Sequence, residues 1–152
     1  MHKIILLIMV LIMNQNKMTK VPMNEVIIEQ TKKLIESGTS YDLEALDSIY
    51  SPELRIVRLD EKSNVTVIDK NDNMAFFRAK KESGEAPLSR MTKFHYAEIK
   101  NDRGYVFLTR TMKLNERWEE LKYHIEWEMK GGRWRVVHEN VYAQPLGSEN
   151  FE

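Results

Sequence analysis

The sequence predicts an α+β domain in which an antiparallel sheet curls over helices that come first in the chain. Three observations lead there. Apolar side chains recur three and four apart between residues 24 and 51, and they alternate two apart between residues 91 and 143. The links between those later segments are short, so successive strands should pair antiparallel. A sheet with one apolar face must then bend over the helices to bury it.

Taken in order, Asn24 caps a helix whose Ile27, Ile28, Thr31, Leu34 and Ile35 share one face, with Gly38 as its C′ residue. Ser40 or Asp42 opens a second, shorter helix carrying Leu43, Leu46 and Ile49, which Pro52 stops. Leu54–Leu59 and Val65–Ile68 read as strands. The run Asp69-Lys70-Asn71-Asp72 supplies caps for a third helix, from Asn71 to about Glu82. That helix contributes Met74, Phe76 and Phe77 to the core, ends at Gly84, and turns Arg78, Lys80 and Lys81 to solvent. After a loop at Pro87 and Ser89 come four strands: Met91–Lys100, Tyr105–Leu114, Trp118–Lys130 and Arg133–Ala143. Residues 144–152, with Pro145, Gly147 and Ser148, read as a flexible tail.

The last hairpin sets the expected register. Gly131-Gly132 can take the positive φ angles of a two-residue turn, so Lys130 and Arg133 flank it. Counting outward puts Met129 opposite Trp134, Trp127 opposite Val136, Ile125 opposite His138, Tyr123 opposite Asn140 and Leu121 opposite Tyr142, all on the buried face. The other face pairs Glu128 with Arg135 and His124 with Glu139, so Glu126, Glu128 and Glu139 are expected to point away from any pocket. His138 and Asn140 then stand as polar groups on a mostly apolar, aromatic-walled surface.

Composition bounds the function. With 152 residues the chain fits one domain, and its 23 basic residues balance 23 acidic ones. Nothing pulls it toward phosphate backbones, so nucleic acid is not an expected partner. It contains no cysteine, which removes disulfides, thiolate nucleophiles and sulfur-ligated zinc. His95, His124 and His138 are scattered singly, so no metal site is assigned and no cofactor is implied. Residues 1–17 begin with His2 and Lys3 and an apolar run, Ile4 to Met13, of signal-peptide length. Export to the periplasm or beyond is the favoured reading, against a cytoplasmic protein starting at Met18 or Met23.

Two stretches carry a resemblance to a known family. Tyr41-Asp42-Leu43-Glu44-Ala45-Leu46, running on to Tyr50-Ser51-Pro52-Glu53, is similar to an Asp-x-x-Ala-Leu helix followed by a Pro-acidic step into a strand. Gly132-Arg133-Trp134-Arg135-Val136-Val137-His138-Glu139-Asn140 is similar to a closing Gly-x-Trp-Arg-x-x-His-x-His strand. Both resemble the nuclear transport factor 2-like (NTF2-like) superfamily, in its SnoaL-like and ketosteroid-isomerase-like bacterial branch, over residues 24–143. The resemblance implies a cone, a strongly curved antiparallel sheet wrapped over three N-terminal helices in a cystatin-like roll, with a cavity on the concave face. It also implies homodimers through the outer sheet face. Asn140 departs from the second histidine of the closing motif.

The expected function is binding of a small apolar or heteroaromatic molecule in that cavity, with His138, Asn140, Tyr123 and Tyr142 as polar contacts and Trp127 and Trp134 as aromatic wall. No catalytic residue is assigned. His138 is the candidate general base or acid, since imidazole titrates near neutrality, against a histidine held in the core by Asn140 or Tyr123. His95 and Arg110 fall opposite each other across residues 101–104, as a cationic group inside the cone or as a surface pair. Two alternatives stand beside binding: a protein-association module using Glu128, Arg135, His124 and Glu139 on the outer face, and a cofactor-free isomerase, cyclase or dehydratase.

Overall fold

A computed structural model describes residues 20–114 and 116–147; the apolar leader and residues 148–152 lie outside that range. Helix α1 spans Glu25–Thr39, α2 Leu43–Ile49, and strand β1 Tyr50–Leu59. They are followed by β2 at Val65–Asp69, α3 at Lys70–Glu82, β3 at Thr92–Lys100, β4 at Arg103–Leu114, β5 at Arg117–Lys130 and β6 at Arg133–Pro145. The six strands form one curved, unclosed sheet in the order β2-β1-β6-β5-β4-β3. All neighbours pair antiparallel except β1 and β6, which run parallel.

Polar side chains start each helix where the sequence offers them. Asn24 accepts from the Ile27 amide at 3.3 Å, Asp42 from Ala45 at 3.1 Å and Asp69 from Asp72 at 2.9 Å. Gly38 is not the C′ residue of α1, because the helix continues through Thr39 and Tyr41 makes the left-handed turn at φ 55. Buried Tyr41 holds that conformation by donating its hydroxyl to the Ala86 carbonyl at 2.9 Å. Strand β6 runs past Ala143 to Pro145, and the Leu146 amide donates to Trp118 at 2.9 Å, so residues 144–146 belong to the sheet rather than to the tail.

The core lies where α1 meets the centre of the sheet. Ile27, Val106, Trp127 and Val136 are fully buried there. Gly104 permits that approach, since a Cβ on it would stand 2.7 Å from Ile27 Cδ1 and 3.2 Å from Trp127 Cβ. Gly131 and Gly132 make the expected turn with φ 58 and 75, both positive as a type I′ turn requires.

The register beyond that turn differs from expectation. Lys130 pairs Arg133, Met129 pairs Trp134, Glu128 pairs Arg135 and Trp127 pairs Val136, as counted from the glycines. Glu126 then pairs His138, leaving Val137 as an extra residue on β6. Because side chains alternate with period two, that bulge turns every later residue of β6 over. Ile125 faces Glu139, Tyr123 faces Val141 and Leu121 faces Ala143. On β1 the pairing with β6 jumps from Tyr50–Val136 to Arg55–His138 at the same level. Pro52 falls in that gap and brings no N–H to a ladder, so the sheet is irregular on both sides of Val137.

Candidate functional site

The concave face of the sheet and the helices α1 and α3 enclose a cavity of about 320 Å³. Its walls are mostly apolar, with Leu34 and Ile35 from α1, Phe77 from α3, and Leu108, Met112 and Leu121 from the sheet. Gly38 lines it from α1, where an added Cβ would touch the Phe77 ring at 3.6 Å, an ordinary contact, so a longer side chain there would extend into the cavity.

A polar cluster interrupts those walls. On β4 the inward row is Val106, Leu108, Arg110 and Met112, so Arg110 is a buried cation in an apolar series. Its Nη2 donates to the Ser89 carbonyl at 2.8 Å and to Thr39 Oγ1 at 3.4 Å, and the Tyr123 hydroxyl lies beside it. Its buried Nε has no hydrogen-bond partner. The bulge at Val137 brings Glu139 into the same cavity, only 5% exposed. Tyr50, the first residue of β1, stands next to it, and the buried Asn73 of α3 completes the group, its amide beside the Tyr50 hydroxyl.

Glu139 has unusual acidity for a carboxyl group. Burial pushes it up from 4.5, while the Arg110 charge and the Tyr50 hydroxyl pull it back, and the outcome is about 7. Tyr50 and Tyr123 are both raised, chiefly by burial, so their hydroxyls stay protonated and serve as neutral donors. At neutral pH this wall of the cavity therefore holds one permanent cation, one carboxyl that exchanges its proton, and two phenols. Such a set can orient a polar group of a ligand and move a proton at Glu139.

The predicted site residues separate. Tyr123 lines the cavity. His138, Asn140 and Tyr142 follow the bulge and face the other way, pairing with Glu126, His124 and Lys122 on the outer surface. There His138 Nε2 lies 3.1 Å from Asn140 Oδ1, and Asn140 Nδ2 lies 3.5 Å from His124 Nδ1. Their expected place in the cavity is thereby corrected, as is the outward place expected for Glu139. Trp127 is fully buried in the core beside Gly104, and Trp134 packs against that core; neither lines the cavity. His95 is exposed, with Nε2 2.8 Å from Thr109 Oγ1; the β3–β4 turn sets Lys100 opposite Arg103 instead of spanning residues 101–104, and β3 shifts once more between Phe94 and Tyr96, so Thr92, not His95, stands opposite Arg110. Of that pair only Arg110 is inside. Among the described residues no group of three or more His, Asp or Glu side chains is arranged to hold a metal ion.

Two signals for the inward place of Arg110 and Glu139 were present in the sequence. An arginine at the third place of Val106-x-Leu108-x-Arg110-x-Met112 occupies an inward position by alternation alone. The doublet Val136-Val137 breaks the alternation of β6 where a bulge sits, but nothing in it says that Pro52 will lie alongside.

No protein-family model matches the sequence, and no curated protein matches it. Solved structures do match in three dimensions. An NTF2-like protein of unknown function from Silicibacter pomeroyi superposes with a TM-score of 0.63 at 12% identity, over 77% of this chain and 92% of that one. An NTF2-like protein from Cytophaga hutchinsonii gives 0.62 at 21% identity, over 80% and 99%. One from Rhodospirillum rubrum, described as of unknown function in nutrient uptake, gives 0.56 at 17% identity, over 80% and 98%. The chain has the NTF2-like fold, as the resemblance of its two motif stretches led one to expect.

Proposed function

We propose that this domain binds a small, largely apolar molecule inside its cone, with Tyr123, Tyr50, Arg110 and Glu139 as the polar contacts. The observation that carries the reading is the cavity of about 320 Å³, apolar over most of its wall and polar at one buried cluster. Ligand sites have that composition, in which apolar surface supplies affinity and a few fixed polar groups supply orientation. A core that existed only for stability would gain by filling the space. The test is titration with a neutral fluorescent probe, N-phenyl-1-naphthylamine, whose emission rises in apolar surroundings. Wild type should show saturable binding, and Gly38→Phe, checked for folding by circular dichroism, should lose it. Absence of saturable binding to wild type overturns the reading.

A second reading is favoured by one observation. Glu139 sits in an apolar chamber beside Tyr50 with its carboxyl at about 7, so it can take and return a proton at neutral pH. That supports a cofactor-free isomerase or lyase of the SnoaL-like or ketosteroid-isomerase-like kind, with Glu139 rather than His138 as the proton carrier. Turnover of a candidate substrate should then vanish in Glu139→Gln while its binding persists. Equal turnover in the variant excludes Glu139 from the chemistry.

A further inference from the structure

We infer that the ligand carries a carboxylate on an apolar body and that Arg110 is its ion-pair partner inside the cone. The inference rests on the cavity being a ligand site and adds the ligand's chemical class. Arg110 is 9% exposed and brings a guanidinium cation into the cavity wall. Among the described residues its hydrogen-bonding neighbours are neutral: the Ser89 carbonyl, the Thr39 hydroxyl and the Tyr123 hydroxyl. Its Nε–H is left with no acceptor at all. A buried cation without a counter-charge is unfavourable unless something supplies one.

The other arginine lining the cavity shows how this chain treats a cation it needs for structure. Arg58 is paired with buried Glu119 at 2.9 Å, and Arg117 closes on the other oxygen of the same carboxylate at 2.9 Å. Arg110 forms no such pair among the described residues. Glu139 forms no ion pair with Arg110 and, with its carboxyl at about 7, supplies a nearby negative charge only above that pH; below it Arg110 stands without one. The groups facing Glu139 are Tyr50 of β1, Arg110 of β4, Tyr123 of β5 and Asn73 of α3, with Arg58 and Asp72 elsewhere on the cavity wall. None of the groups facing it other than Arg110 is charged, so below about pH 7, where Glu139 is protonated, one cation remains for one incoming anion.

A carboxylate matches that single charge and the guanidinium fork. A phosphate monoester brings nearly two negative charges into a chamber that offers one positive, and its desolvation is correspondingly harder. The apolar walls require that the rest of the ligand be hydrocarbon. Glu139 adds a pH dependence. As pH falls through about 7 it takes up a proton, the local negative charge disappears, and the ligand carboxylate is held more tightly.

The test is calorimetric titration of full-length protein with phenylalkanoates of two to six chain carbons and with the matching amides, which have the same shape without the charge. At about pH 6 the best acid should bind at least tenfold tighter than its amide, and Arg110→Gln should erase that advantage while amide affinity stays within about threefold. Acid and amide binding equally well to wild type overturns the inference and leaves the cavity reading standing. An advantage that survives in Arg110→Gln overturns the role of Arg110. No binding by any member of either series overturns both. Glu139→Gln gives an arm that does not depend on Arg110→Gln folding: acid affinity should weaken in wild type between about pH 6 and pH 8 and stay flat in the variant. Parallel profiles count against the proposal.

Discussion

Replacing Glu139 by glutamine should change how stability depends on pH more than it changes stability itself. The carboxyl is held at about 7 in the folded chain against an ordinary 4.5. Between those values the folded protein retains a proton that the unfolded chain has released, so stability declines as pH rises through the interval. Below about 4.5 this group costs nothing, and above about 7 the cost is complete. At 1.36 kcal/mol per pH unit the loss is about 3 kcal/mol, which for a chain of this length is roughly 6–12 °C in melting temperature. Glutamine keeps the shape and can still receive the Tyr50 hydroxyl, but it has no charge to bury. Urea unfolding of wild type and Glu139→Gln between pH 5 and pH 8.5 isolates the effect, because every other titrating group cancels in the difference. The gap between the two proteins should widen in favour of the variant by about 2.5 kcal/mol from pH 5 to pH 8.5, because a little of the loss is already present at pH 5. Two parallel curves would refute the reasoning, since a carboxyl facing water loses nothing by ionising.

Other outcomes follow from the same geometry. His138→Ala should leave cavity binding unchanged and shift stability by under about 1 kcal/mol, because His138 lies on the outer surface; probe titration and urea unfolding check it. Gly104→Ala should destabilise by about 1–3 kcal/mol in urea, since the added methyl would meet Ile27 Cδ1 at 2.7 Å. Gly38→Ala should do the opposite, gaining about 0.5–1 kcal/mol, because Gly38 is helical and a Cβ there meets Phe77 at an ordinary 3.6 Å. Asn24→Ala should cost about 1 kcal/mol by leaving the Ile27 amide without its cap.

The fold was legible because its determinants are local. Caps at Asn24, Asp42 and Asp69 mark helix starts, and the alternation through Val106, Leu108 and Met112 marks an inward strand face without knowledge of any neighbour. The Gly131-Gly132 turn likewise fixes the first four pairs of the hairpin. The site was legible only in part, because its membership depends on which way each residue of β6 points. That direction is set where Val137 is left over beside the Pro52 segment of β1, residues far apart in sequence. One extra residue exchanged His138 and Asn140 for Glu139 and Val141 on the concave face. Tyr123 keeps its place because β5 itself is regular across the bulge. Tyr50 and Asn73 reach the cavity from a strand start and a helix, positions that no strand periodicity addresses.

The site stands on one placement: the bulge at Val137 turns Glu139 into the cone. Its most direct measurement is the titration of the Glu139 side-chain carboxyl carbon by NMR, assigned through the signal lost in Glu139→Gln. A midpoint near 7 that climbs further in Arg110→Gln is the expected result. A midpoint near 4.5, unmoved by Arg110→Gln, would put the carboxylate in water and contradict the account.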